Sequence, residues 1–445
     1  MKINIITLGC SKNTVDSENL AGHLAANHEV HFDRSGNDCD CVIINTCGFI
    51  GDAKEESVNV LLEQTAAKKR FNQRHRHDGR QRILIAAGCL IERYREELKQ
   101  EIPEVDAWYG VHEWEDLINY IRSNETRTPR DKTSIDFTQL RQVSTPSHYA
   151  YIKISEGCDR SCAYCAIPHI RGRHISRPIE EIVSEAQKLV SDGAQELIII
   201  AQDTTYYGLD LYGQRRLGDL LHQLATQSGA HWIRLHYTYP TSFPQDAIQV
   251  MRQHKNICNY IDIPLQHINT ELLHSMRRGI DRESTLRLLD QFRQQLPDVT
   301  IRTTLIVGYP GETDEIFQEL KDFVRQARFD RMGCFAYSPE EGTPAEVLGD
   351  PIADEVKQQR VSEMMAIQEQ ISLEKNEAKI GHTYEVLVDR IEGDYAIART
   401  EFDSPDVDDE VLIPLTKTSR IAPGHFYNVQ ITDALENDLL ATLVE

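Results

Sequence analysis

The chain has 445 residues, enough for roughly two to four domains. Its 40% hydrophobic and 27% charged content is ordinary for globular folds. No apolar run reaches the roughly 18 residues that a membrane span needs, and a formal net charge of −22 disfavours a duplex or tRNA partner and favours small molecules or a basic protein.

The opening MKINIITLGCSKN reads as a first strand rather than a signal peptide, which predicts a cytoplasmic location. In that compartment the ten cysteines are expected to serve metal or redox chemistry, not disulfides. Residues 1–125 alternate short apolar strands (KINIITL, CVIINT, RILIAAG, VDAWYGV) with helical patterns at 13–26, 53–69, 91–101 and 115–122. That alternation predicts an α/β domain with a parallel sheet covered on both faces. The stretch QRHRHDGR, residues 73–80, reads as a solvated loop, and the polar residues 126–147 as a linker.

A second βα series occupies 148–375. Its strands are YAYIKIS, ELIIIAQ, WIRLHYT, YIDIPLQ, TIRTTLIVG and RMGCFAYS, with helical patterns such as 179–191, 284–295 and 314–327. Six units are too few for a closed eight-unit barrel, so the series predicts an open (β/α)6 barrel. Residues 354–379 form a charged helix leading onward. From 380 to 445 the pattern changes to short strands and turns, which predicts a small all-β barrel.

Two sets of cysteines stand out. Cys158, Cys162 and Cys165 lie in EGCDRSCAYCAIP, after the first strand of the second series, where α/β barrels place their active sites. A zinc knuckle would need a further ligand pair; a four-iron–four-sulfur cluster held by three thiolates leaves one iron open. In the first domain, Cys10, Cys47 and Cys89 each sit just past the end of a predicted parallel strand, beside Gly9, Gly48 and Gly88. Open α/β sheets bind ligands along that edge, and glycine permits close backbone approach. Cys39 and Cys41 precede their strand. Cys41 is six residues before Cys47, about 20 Å away at about 3.3 Å per residue. Cys39, Cys41, Cys258 and Cys334 are therefore expected to pack as small hydrophobes.

The C-x3-C-x2-C loop, with Tyr164 before its last cysteine, resembles the radical S-adenosylmethionine signature. That resemblance implies that S-adenosyl-L-methionine occupies the open iron, and that its cleavage yields a 5′-deoxyadenosyl radical able to abstract an unactivated hydrogen. Further cofactor contacts are expected at Gln202 and Asp203 (IIIAQDT), at Gln266 and His267 (IDIPLQH), at Ile306 and Gly308 (TLIVGYPGET), and at Arg302 as a carboxylate partner. The GYPGET run lacks the Gly-Lys-Ser/Thr of a phosphate-binding loop.

All three domains together resemble the methylthiotransferases, and TLGCSKNTVDSE with NTCGFIGDAKEES resembles the RimO type. The C-terminal segment is similar to a TRAM domain. The resemblance implies a methylthio transfer to the β-carbon of an aspartate in small-subunit ribosomal protein number twelve, two 4Fe-4S clusters, a reductase as electron donor and a separate sulfur donor. No membrane attachment is expected, for want of a long apolar run, and no direct nucleic-acid binding, because the charge has the wrong sign for phosphate. A tRNA methylthiotransferase and a non-catalytic iron–sulfur electron carrier are the alternatives; formation of 5′-deoxyadenosine eliminates the carrier. From Gly381 to Glu445 there are fourteen Asp and Glu against four Lys and Arg, six of the acids in EFDSPDVDDE. That run predicts an acidic surface that recruits a basic protein.

Overall fold

The computed structural model describes residues 1–33, 38–123, 140–416 and 420–444. Its contacts divide the chain into two units. The first comprises 1–145 with 156–159 and 165–174; the second comprises 146–155, 160–164 and 175–445.

In the first unit, strands β1 (Lys2–Thr7), β2 (Glu29–His31), β3 (Cys41–Thr46), β4 (Ile83–Gly88) and β5 (Ala107–Tyr109) form one sheet in the order β2-β1-β3-β4-β5. Every pairing is parallel. Helices α1 (Ser11–Ala25), α2 (Gly51–Arg74), α3 (Cys89–Glu101) and α4 (Trp114–Ser123) alternate with the strands. The continuous apolar run of β3 is buried at all six positions, which is why it lacks period-two alternation. Apolar clusters lie on both faces, with Ile3, Ile43 and Ile85 in one and Val42, Ile44 and Leu84 in the other. The edge strand β2 is too short to carry a periodic signal, and the sequence reading passes over it.

The expected linker at 126–147 falls mostly on residues outside the described ones. Its described end is not free. Glu18 of α1 accepts hydrogen bonds from Arg141 Nε (2.8 Å) and from the backbone N (2.6 Å) and Oγ (2.7 Å) of Ser144. This stretch is anchored by one buried carboxylate. The QRHRHDGR segment likewise begins inside α2, which runs to Arg74.

In the second unit, Tyr149–Lys153, Glu196–Ile200, Trp232–Leu235, Ile257–Asp262, Thr300–Val307 and Arg331–Ala336 lie side by side in chain order as a six-stranded parallel sheet. This is the open (β/α)6 barrel. The helix Asp354–Glu377 packs back on the barrel: Arg360 pairs with the buried Glu312, and Gln368 donates to the Phe329 carbonyl. The last five strands, between Thr383 and Leu443, close into a small barrel around Val386, Val411 and Leu439.

Of the six acids in the EFDSPDVDDE run of this small barrel, Asp403 and Asp409 are buried, Glu401, Asp408 and Glu410 half-buried, and Asp406 exposed. Asp403 and Asp409 both pair with Arg331, Asp408 accepts from Tyr260 Oη (2.6 Å) and faces Arg302 (3.4 Å), and Ser404 meets His236 (3.0 Å). Among Asp403, Asp406, Asp408 and Asp409, only Asp406 is exposed. The expectation of a free acidic recruiting surface is therefore corrected for Asp403, Asp408 and Asp409, whose carboxylates pair with residues of the barrel strands. A second buried group, Arg234–Glu196–Arg399–Asp389–His148, joins the same two bodies. Charges enter the interior here because each has a partner; one removed alone would leave its partner uncompensated.

Candidate metal centre

Parallel strands deliver the first cysteine set to one edge. Cys10 is the extended residue that precedes α1, Cys47 follows β3, and Cys89 opens α3 after Gly88. The glycines beside them approach closely. A methyl group built on Gly9 would fall 2.7 Å from Cys47 Cβ and 2.9 Å from its Sγ, and one built on Gly48 would fall 2.8 Å from the Cys89 carbonyl oxygen. Gly9 also has φ +87°, which a side chain rarely tolerates.

Neighbours that spacing does not reveal hold the loops. Buried Ser57 accepts from the Cys47 N–H (3.0 Å) and donates to the Cys47 carbonyl (3.1 Å). Asn13 donates to the Leu8 and Thr46 carbonyls (2.8 and 3.0 Å), tying the loop after β1 to the end of β3. From helix α5 (Ile167–Arg171), the buried Arg171 donates to Asn13 Oδ1 (2.5 Å), Asp16 (2.7 Å) and Cys89 Sγ (3.4 Å).

The thiols feel one another. Burial pushes the Cys47 thiol up, and the Cys89 thiol to about 12; the charge of Cys10 adds to both. Cys10 itself is exposed; the protein packed around it opposes its ionisation, but Lys12 and Arg171 outweigh that and hold the thiol below its ordinary value. The starts of α1 and α3 also favour thiolate through their N-terminal dipoles. Among the described residues, no three His, Cys, Asp or Glu side chains close on one point as a single metal ion requires. An iron–sulfur cluster asks for something looser, since each thiolate binds a different iron. Three convergent cysteines with glycine beside each fit that larger group.

The second cysteine loop is divided between the units, with Cys158 and Cys165 in the first and Cys162 in the second. In the first unit, the Cys158 N–H donates to the Gly172 carbonyl (3.1 Å), and Asp159 accepts from the His174 N–H (3.0 Å). Gly157, at φ +75°, lies against the Arg173 carbonyl, where a side chain would collide. In the second unit, Cys162 is buried beside Tyr239 Oη (3.4 Å), and Arg278 Nη1 donates to its sulfur (3.3 Å) and to Tyr164 Oη (3.2 Å). Arg278 lies 4.2 Å from the Tyr239 ring centroid.

The expected S-adenosylmethionine contacts divide. Tyr164 and Ile306 pack in one apolar cluster with Ala163, Tyr309 and Tyr337. Gln202 lies just past its strand, in the same turn as Asp203. Asp203 is already committed: it caps Thr205 (2.9 Å) and pairs with Arg160 (2.7 Å). Gln266, at φ 77°, uses its backbone to bridge the neighbouring strand at Thr304 and Ile306. His267 is fully buried against Glu312 (3.3 Å) and accepts from the Asn269 N–H (3.0 Å). Gly308 is glycine because a side chain would collide with Lys357. Arg302, expected as a carboxylate partner, pairs with Asp262 (3.2 Å) and Asp408, at the joint with the small barrel. Cys39, Cys41, Cys258 and Cys334 are buried core residues, as their sequence positions imply.

Three family models match the chain: the Radical SAM superfamily at residues 152–324, Uncharacterized protein family UPF0004 at 2–110, and the TRAM domain at 380–444. A relative in Phocaeicola vulgatus, "Ribosomal protein uS12 methylthiotransferase RimO", is 50% identical over 99% of this chain and 99% of its own. One of the same name in Bacteroides thetaiotaomicron is 51% identical over 100% of this chain and 98% of its own. The solved structure of TsrM, a radical S-adenosylmethionine methyltransferase from Kitasatospora setae with cobalamin and a [4Fe-4S] cluster bound, aligns with TM-score 0.55 at 14% identity. It covers 95% of this chain and 83% of that one, a likeness of fold alone.

Proposed function

The chain belongs to the RimO family of radical S-adenosylmethionine methylthiotransferases, and from that premise we propose that it transfers a methylthio group to the β-carbon of an aspartate in ribosomal protein uS12. It is an iron–sulfur, S-adenosylmethionine-dependent transferase. Two 4Fe-4S clusters are assigned, one to Cys10, Cys47 and Cys89 and one to Cys158, Cys162 and Cys165. A reductase and a sulfur donor complete the partners. When bound, the clusters supply the electron for S-adenosylmethionine cleavage and an open iron for sulfur.

The residues of this chain do the positioning. Asn13 and Ser57 lock the backbones that carry Cys10 and Cys47. Gly157 lets the chain turn into Cys158. Tyr164 and Ile306, in one apolar group, are the assigned wall for the cosubstrate, with Gln202 as its polar contact. The observation that carries this reading is the convergence of Cys10, Cys47 and Cys89 at three parallel strand ends, in a chain that matches uS12 methylthiotransferases over its full length.

Two experiments test it. Mass spectrometry of uS12 from a strain lacking this gene should show the methylthio group missing, with tRNA modifications intact; unaltered uS12 overturns the substrate assignment. Replacing Cys158, Cys162 and Cys165 with alanine should halve the iron and abolish 5′-deoxyadenosine formation. Replacing Cys10, Cys47 and Cys89 should also halve the iron, but leave 5′-deoxyadenosine formation and stop methylthiolation. Wild-type iron content in either triple variant refutes the two-cluster assignment.

A further inference from the structure

Arg171 lies six residues past Cys165, yet its guanidinium serves the other cysteine set. Helix α5 enters the first unit through Ala166 and Ile170, which pack with Cys89 and Val111 in one buried cluster. The two ends of the guanidinium then divide their work. Nη1 donates to Asp16 (2.7 Å) and to both oxygens of Glu156 (3.1 and 3.2 Å). Nη2 donates to Asn13 Oδ1 (2.5 Å) and Cys89 Sγ (3.4 Å). Arg171 is 3% exposed, Asn13 0% and Asp16 6%.

Neutralising Asp16 and Glu156 explains the first end only. The second end meets an amide oxygen and a sulfur, neither of which needs a cation. We infer that Arg171 is a positioning residue that orients Cys89 and raises the reduction potential of the cluster on Cys10, Cys47 and Cys89; this rests on reading those cysteines as a cluster site. Hydrogen bonds to ligand sulfurs and local charge are the protein's levers on cluster potential. Reduction adds one electron and one negative charge, so a cationic N–H donor stabilises the reduced form and raises the potential. Replacing Arg171 by a neutral residue would also remove one cation from beside Asp16 and Glu156, which pushes the same way. Arginine suits this post because its planar fork reaches two carboxylates and two further acceptors at once, which an ammonium group cannot. The same device recurs in the second unit, where Arg278 donates to Cys162.

The test uses the full chain carrying C158A/C162A/C165A, so that only the first cluster contributes. Iron content and a redox titration followed by electron paramagnetic resonance are measured with and without R171Q and R171K. R171Q is expected to keep its iron while its ratio of reduced to oxidised cluster at fixed poise falls at least tenfold, a downward shift of about 59 mV for one electron. R171K should fall between R171Q and the parent, since it keeps the charge but not the fork. A parental potential in both variants overturns the inference. If R171Q loses its iron, R171K decides alone: a lowered potential supports the role and a parental one overturns it. A parent chain that holds no iron overturns the cluster reading itself, and this inference with it.

Discussion

Cys41 and Cys47 stand six residues apart and have opposite surroundings. Cys41 begins β3 and is fully enclosed in the core, whereas Cys47 has left the strand and lies against Gly9. Burial raises the thiols of both Cys39 and Cys41, as for inert packing residues. The double variant C39S/C41S is expected to keep full iron and sulfide content. Its cost should fall on folding, about 1–3 kcal/mol for each buried hydroxyl without a partner. Loss of one cluster with the fold intact would show that these thiols are ligands. Gly9 makes the converse case. G9A adds a methyl group where φ is +87° and Cys47 Cβ is 2.7 Å away. The left-handed conformation alone costs about 1–2 kcal/mol for alanine. G9A should therefore lower iron at the first site, measured in the C158A/C162A/C165A background; full iron there would mean that the close approach is dispensable.

At the scale of elements, the loop 403–409 joins the open barrel to the small barrel through Arg331. Asp403 is fully buried and, with Arg331 and Lys379 beside it, is held below the usual carboxylate range despite burial. Asp409 shares the same arginine but is pushed by burial, and by Asp403, from 3.8 to about 6. The sign follows. Between those values the folded chain keeps a proton on Asp409 that the unfolded chain releases, so stability falls as pH rises through that window. D409N removes the titration. Its melting temperature should match wild type near pH 4 and exceed it above pH 6. Parallel melting curves across that range would mean that Asp409 does not titrate there. R331M, which removes the arginine paired with both Asp403 and Asp409, should cost about 3–5 kcal/mol.

For the whole molecule, the net charge of −22 overstates what a partner meets. Part of the acidic C-terminal run is spent on internal pairs with Arg331 and Arg302. The fourfold variant D403N/D406N/D408N/D409N should therefore lower the melting temperature, while D406N alone should stay within about 0.5 kcal/mol of wild type. The acids that a basic partner would meet on this domain are those that remain exposed, such as Asp394, Asp433 and Glu436. Neutralising those three should slow association with uS12 at low salt and flatten its salt dependence, without changing the melting temperature. Unaltered association kinetics would remove charge steering from this domain.

The sequence by itself determined what is local or periodic. Alternating apolar strands and helices encode a parallel sheet and an open barrel, and cysteines just past strand ends share an edge because parallel strands all end on the same side. Family likeness in TLGCSKN, NTCGF and CxxxCxxC, all short in sequence, carried the chemistry. Only the tertiary structure decided which charged residues are partners. Arg171 reaches Cys89 across 82 positions, Arg278 reaches Cys162 across 116, and Arg331 reaches Asp403 across 72. A lone arginine or aspartate has no spacing that betrays its partner, and a buried ion pair leaves the same letters in the chain as a solvated one. That is why Arg302 and the EFDSPDVDDE run read as binding groups in the sequence, and why in the fold they hold two barrels together.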